Sequence, residues 1–170
     1  MVYVIMGVSG AGKSAIGRML AQRLGIEFHD ADEYHPQANI NKMKKFIPLE
    51  DEDRFPWLSD LVGNITHWNM GKGAVLACSA LKEKYRKILS RDGMEKVIFI
   101  HLEGDRDIIL NRMKSRKEHF FPVELLESQF KALEAPQNAI TVQIGKAPEE
   151  ICAEIIEQVV TKGLVSLERE

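Results

Sequence analysis

The octapeptide GVSGAGKS, Gly7 to Ser14, constrains the fold more than any other stretch of this chain. Its spacing, G-x-x-x-x-G-K-[ST], requires a tight loop with inward-facing amide N–H groups, followed by a helix whose N-terminus favours an anion. Both flanks supply that context. The apolar run VYVIM (Val2 to Met6) reads as a strand before it. After it, Ile16, Met19, Leu20 and Leu24 share one face of a helix from Lys13, with Gly25 as its stop. The pattern assigns a nucleoside triphosphate to Gly7, Val8, Ser9, Gly10, Ala11, Gly12, Lys13 and Ser14, with Lys13 reaching the β- and γ-phosphates and Ser14 holding Mg²⁺. The octapeptide is silent about what receives the phosphate.

Further along, short β-branched runs alternate with helical patterns. IEFHD (Ile26 to Asp30), AVLACS (Ala74 to Ser79), KVIFIHL (Lys96 to Leu102) and AITVQI (Ala139 to Ile144) read as strands. Leu58, Leu61, Val62, Ile65 and Trp68 stripe one helix, and residues 106 to 116 form another. Val123, Leu126, Phe130 and Leu133 stripe a third, and Ile151, Ile155, Ile156, Val159 and Val160 the last. This alternation predicts an α/β fold, a five-stranded parallel sheet flanked by helices on both faces. Ligands in such sheets lie beyond the carboxyl ends of the strands, which points to Gly7–Ser14, Asp30–His35, Ser79–Arg86 and the residues after Leu102.

The chain has 170 residues, 45% of them hydrophobic and 28% charged, which fits one globular domain spanning residues 1–170. A net charge of -2 gives no electrostatic reason to expect nucleic acid or an anionic membrane as partner. No apolar run approaches the length of a membrane span. Met1 leads straight into the first strand without a secretory leader, and Cys78 and Cys152 stand apart as small hydrophobes rather than as a disulfide or metal pair. The expected address is the cytoplasm.

The acceptor side is marked less sharply. Asp30 and Asp32 stand two apart at the end of the second strand, a spacing that puts both on one face of an extended chain. A carboxylate there suits a proton acceptor or a holder of Mg²⁺-bound water, and equally suits a cap for the following turn. Lys82 with Arg86, and Arg112 with Arg116, are like-charged pairs at helical spacing that a nearby anion would offset. The second pair leads into KEHFF, a candidate lid over residues 116–123. The long segment over residues 32–60 faces the acceptor, with His35, Arg54 and Trp57 its candidates, whereas its EDED run reads as a solvated helix start.

Taken together, MGVSGAGKS, DADEYHP, NINKM, PLEDEDRFPWL, CSALKEKYR, RKEHFF and LLESQFKALE resemble the small bacterial-type gluconate kinases, from residue 2 to about 160. That resemblance implies a P-loop kinase fold with a lid, and ATP- and Mg²⁺-dependent phosphorylation of D-gluconate on its 6-hydroxyl. It implies that Asp30 orients a metal-bound water and Asp32 meets the acceptor hydroxyl. Arg54, Lys82 and Arg86 become candidates for the gluconate carboxylate, His35 for its hydroxyls, and Arg116 for closing on the phosphates. Lys13, Asp32 and Arg116 would be the catalytic set, with Arg112 on the nucleotide side. The adenine loop falls near Gly145–Pro148, and the family is generally dimeric. One position departs from the family pattern: Phe46 stands in MKKFIPL where KM..G.PL has glycine. The rival readings are a kinase for shikimate, a nucleoside monophosphate or another sugar acid, and a sensor that binds ATP and a metabolite without efficient transfer.

Overall fold

The computed structural model describes residues 1–115 and 122–164. Its elements run β1 (Val2–Met6), α1 (Lys13–Leu24), β2 (Glu27–Asp30), α2 (Gln37–Lys44), α3 (Asp51–Met70), β3 (Ala74–Ala77), α4 (Glu83–Leu89), β4 (Val97–Glu103), α5 (Arg106–Ser115), α6 (Val123–Ala132), β5 (Ile140–Gln143) and α7 (Pro148–Thr161). A 3₁₀ turn, Ala31–Tyr34, links β2 to α2. Among the described residues the five strands form one parallel sheet in the order β2-β3-β1-β4-β5.

The sequence dictates this layering through alternation along β1. Tyr3 and Ile5 point to one face, where α1 contributes Ile16 and Leu20 and α7 contributes Ile151, Ile155 and Val159. Val2, Val4 and Met6 point to the other, against Leu58, Leu61 and Ile65 of α3. A central parallel strand is buried on both sides, so every residue of β1 and β3 is apolar and buried. The helices of both layers therefore have a continuous apolar surface to cover. Among the described residues, no helix is long and apolar enough to cross a membrane.

Register then places the chemistry. Ile5 of β1 and Asp30 of β2 are both level with Ala77 of β3, so the loop after β1 and the turn after β2 open at the same edge on either side of Cys78 and Ser79. Gly7 donates its N–H to the Ser79 carbonyl at 3.3 Å, which ties the two exits together.

Several elements run beyond the sequence expectation. Asp30 and Asp32 are not successive outward residues of one strand. The Asp30 side chain accepts the Asp32 N–H at 3.1 Å and starts the 3₁₀ turn, so local capping overrides the extended alternation. The EDED run is a helix start, but not a merely solvated one. Glu50 and Asp53 form a capping box, Asp53 pairs with Lys42 of α2, and Asp51 pairs with Lys84 of α4 and accepts from Tyr85 at 2.7 Å. These acids fasten α3 between its neighbours.

Candidate active site

A cavity of about 460 Å³ opens at the carboxyl ends of β1, β2 and β3, lined on one side by the phosphate loop and on the other by the segment from Asp30 to Trp57. The loop has the shape its sequence requires. Gly7 has φ +146°, and a Cβ there would stand 2.9 Å from the Leu102 carbonyl oxygen. Gly12 begins α1 at φ +98°, left-handed geometry that glycine adopts without steric cost. The α1 helix carries no acidic residue in its own first turn, so no side chain of that turn opposes an anion at its N-terminus.

Lys13 Nζ donates to the Val8 carbonyl at 3.0 Å, folding back over its own loop. Ser14 Oγ donates to Asp30 Oδ2 at 2.9 Å. The hydroxyl at the head of α1 and the carboxylate at the end of β2 therefore form one pair of oxygen donors. Hard cations such as Mg²⁺ prefer that chemistry, and one or two protein oxygens with several waters suffice for them. The residues present fit the ion.

Asp32 lines the same cavity. Its carboxyl is pushed above the usual carboxylate range, first by withdrawal from bulk water, then by the neighbouring Asp30 charge, with Lys13 opposing. Its side chain is nevertheless 72% accessible. The concave walls, not close packing, reduce its solvation, so the group remains open to a ligand.

His35 is held more tightly. Its ring stacks on Trp57 with centroids 4.1 Å apart, and the Trp57 indole N–H donates to the Ala31 carbonyl at 2.8 Å. The Asn39 amide nitrogen lies 2.8 Å from the Asp53 carbonyl oxygen and 3.1 Å from His35 Nδ1. A carbonyl can only accept, which fixes that atom of Asn39 as the donor. His35 Nδ1 is then the acceptor, and the ring proton sits on Nε2, which lies 3.9 Å from Asp32 Oδ1. Burial, reinforced by the nearby Arg54 charge, lowers the imidazole pKa to about 4, so His35 is neutral at physiological pH. Asn39 is buried at 2% exposure, and sequence reasoning had not singled it out. Its signal was its position four residues after His35, one helical turn away.

The basic candidates separate. Arg54 lines the cavity, donates to the Leu49 carbonyl and lies over the Tyr85 ring at 5.4 Å. Lys82 and Arg86 are not among the residues that line it. Arg86 is turned inward at 6% exposure, donating to the carbonyls of Ala80 at 2.9 Å, Leu81 at 3.0 Å and Glu134 at 3.0 Å. Ala80 has φ +42°, a strained value for a residue with a Cβ. Arg86 clamps that turn and ties it to the chain after α6. Against the expectation that Arg86 meets a substrate carboxylate, its guanidinium here is bonded to main-chain carbonyls and does not line the cavity. Lys82 is the N-cap of α4.

On the nucleotide side, Arg112 of α5 donates to the Ile144 carbonyl, just before the expected adenine loop at Gly145–Pro148. Arg116 and most of the expected lid lie outside the described residues. Helix α6, next in the chain, reaches the phosphate loop directly. The Ser9 N–H donates to Gln129 Oε1 at 2.7 Å, and Gln129 Nε2 donates to Ser9 Oγ at 3.0 Å. The sequence showed Gln129 only as part of the SQF block and pointed to no role for it. Its contact spans 120 positions of chain, which no local pattern carries.

The chain resembles known proteins over nearly its whole length. The model of the shikimate kinase family matches residues 9–160. A probable gluconokinase of Mus musculus is 44% identical over 176 aligned residues, which cover 92% of this chain and 96% of that protein. The thermoresistant gluconokinase of Escherichia coli (strain K12) is 43% identical, with 95% of this chain and 94% of that protein covered. Among solved structures, a gluconokinase from Sinorhizobium meliloti 1021 superposes with a TM-score of 0.86 at 34% identity, covering 96% of this chain and 94% of that one.

Proposed function

The chain belongs to the gluconokinase family, and from that premise we propose that it transfers the γ-phosphoryl group of ATP to the 6-hydroxyl of D-gluconate. The observation that carries this reading is the convergence of the phosphate loop, Asp32, His35 and Arg54 on one cavity. A phosphate-binding wall facing a carboxylate, a neutral imidazole donor and a guanidinium is what transfer to a hydroxylated carboxylic acid needs.

Phosphoryl transfer leaves little covalent work to the protein, so rate comes from positioning and from neutralising charge. Backbone N–H groups of the phosphate loop other than those of Gly7 and Ser9, which are held by Ser79 and Gln129, cradle the phosphates, and Lys13 leaves the Val8 carbonyl to meet the transferring group. Ser14 would hold Mg²⁺ directly and Asp30 through water, and the ion would supply charge neutralisation on the phosphate oxygens. Asp32, ionised, takes the proton of the attacking hydroxyl. His35 donates its Nε2–H to a hydroxyl of the acceptor, kept in that tautomer by Asn39. Arg54 is the cavity's guanidinium for the acceptor carboxylate. Arg112 and Gly145–Pro148 would bound the nucleotide base, and Arg116 would bring a further positive charge from the lid. A cytoplasmic homodimer is the setting we propose, on the family resemblance.

The deciding experiment is a coupled assay of ADP release with ATP and Mg²⁺, comparing D-gluconate with other aldonic acids, shikimate, glucose and AMP. Turnover confined to gluconate, with 6-phosphogluconate as product, supports the reading. Turnover with a different acceptor alone moves the specificity and keeps the kinase. ATP binding without transfer to any of them leaves a sensor.

A further inference from the structure

We propose that Phe46 is a specificity-determining residue of the acceptor pocket, its ring packing against the carbon chain of a polyhydroxy carboxylic acid. The proposal rests on the gluconate reading and goes beyond it by assigning the pocket's apolar wall.

The backbone supplies the first observation. Helix α2 closes with Ile47 N–H donating to the Lys42 carbonyl at 2.9 Å and Phe46 N–H to the Met43 carbonyl at 3.0 Å. These two bonds define a Schellman stop, in which the residue at the Phe46 position must be left-handed. Phe46 has φ +55°. Glycine reaches that conformation without penalty, whereas a bulky side chain there is a true outlier. The helix stop alone gives no reason for phenylalanine, because the motif's bonds use only main-chain atoms.

The second observation is where the ring sits. Phe46 belongs to neither buried core cluster, is 42% exposed, and lines the cavity together with Ile47, Pro48 and Leu49. The cavity lining thus combines polar groups, Asp32, His35 and Arg54, with an apolar stretch from Phe46 to Leu49. An open-chain sugar acid has matching sides: hydroxyls and a carboxylate for the first, and C–H groups for the second. Strained residues persist where the surrounding function uses them, and here the strain holds an aromatic face at the pocket wall.

The test compares the parent with Phe46→Gly and Phe46→Asn, both of which enter the left-handed region readily. Thermal unfolding, KM for ATP, KM for D-gluconate and kcat are measured for each. The expected result is a Tm equal to or above the parent's, with kcat and KM for ATP within about twofold. KM for D-gluconate should rise about five- to tenfold in both variants. An unchanged gluconate KM in both, whatever happens to Tm, overturns the proposal and leaves Phe46 a helix-stop residue only. A parent that is inactive with gluconate overturns the gluconate reading and this proposal with it, so the two failures are told apart by the parent's own turnover.

Discussion

The phosphate loop is assembled from consecutive residues and works through its backbone, whereas the proposed acceptor wall gathers side chains from the turn after β2, from α2 and from the start of α3. Gly7 to Ser14 present N–H groups whose direction follows from the chain path, and β1 beneath them is buried on both faces. Opposite them, His35 depends on Trp57 for its plane and on Asn39 for its tautomer, and Asn39 in turn depends on the Asp53 carbonyl. The first region tolerates change in side chains that point away from its amides. The second is a chain of dependencies in which one misplaced group releases the next. Binding a phosphate can be nearly generic, but choosing an acceptor requires that second kind of wall.

The largest effect should come from the phosphate side. Lys13→Ala removes the ammonium group of the loop and should abolish measurable turnover while leaving Tm within a few degrees. Near-normal activity would break the comparison at its firmer end. Next, Asp32→Asn should lower kcat about 10²- to 10³-fold with little change in ATP affinity, in line with loss of a positioned proton acceptor. Because the Asp32 carboxyl sits above the usual carboxylate range, parent activity should fall on acidification earlier than an ordinary carboxylate would dictate. That acid limb should vanish in the asparagine variant. Loss of ATP binding with kcat spared would move Asp32 off the acceptor wall.

A third variant sharpens the boundary of that wall. Arg86→Met keeps the aliphatic stem but removes the guanidinium donor from the Ala80 and Glu134 carbonyls, while the Leu81 carbonyl keeps the Glu134 N–H, so it should cost about 2 to 4 kcal/mol of stability. The gluconate KM should move less than about threefold, and a rise beyond tenfold at unchanged stability would return Arg86 to the substrate.

The smallest effect is a pH dependence of stability. His35 has its pKa lowered from 6.5 to about 4 in the folded protein. Between those values the unfolded chain binds the proton more readily, so stability is full above about 6.5 and declines as pH falls toward about 4. His101, also lowered by burial, contributes with the same sign. The measurement is therefore the difference in Tm against pH between the parent and His35→Gln, which should be flatter over this window. Parallel curves would mean that His35 is not held neutral.

The fold was legible because its signals are local and periodic. β1, α1 and the glycine at 25 fell where alternation, helical spacing and a left-handed stop placed them, since each depends on residues within one or two turns. The pair Asp30 and Asp32 left two readings open, one face of a strand or a cap for the following turn: the capping bond from Asp30 to the Asp32 N–H competes with strand alternation, and charge spacing does not reveal which prevails. The EDED run showed a helix start, yet its partners Lys42 and Lys84 lie far off in sequence and could not be paired in advance.

By itself, then, the order of residues determined the parallel sheet, the phosphate loop and the carboxylates beside it, because backbone conformation and amphipathic periodicity are set by near neighbours. Tertiary structure alone decided that Arg54 faces the cavity while Arg86 turns away to clamp a strained turn. It alone showed Gln129 bonded to the phosphate loop, and a left-handed Phe46 lining the cavity. The physical reason is that a side chain's task follows from which buried acceptors and charges lie within about 3 Å of it. In a sheet whose strand order is not its chain order, those groups come from distant parts of the sequence.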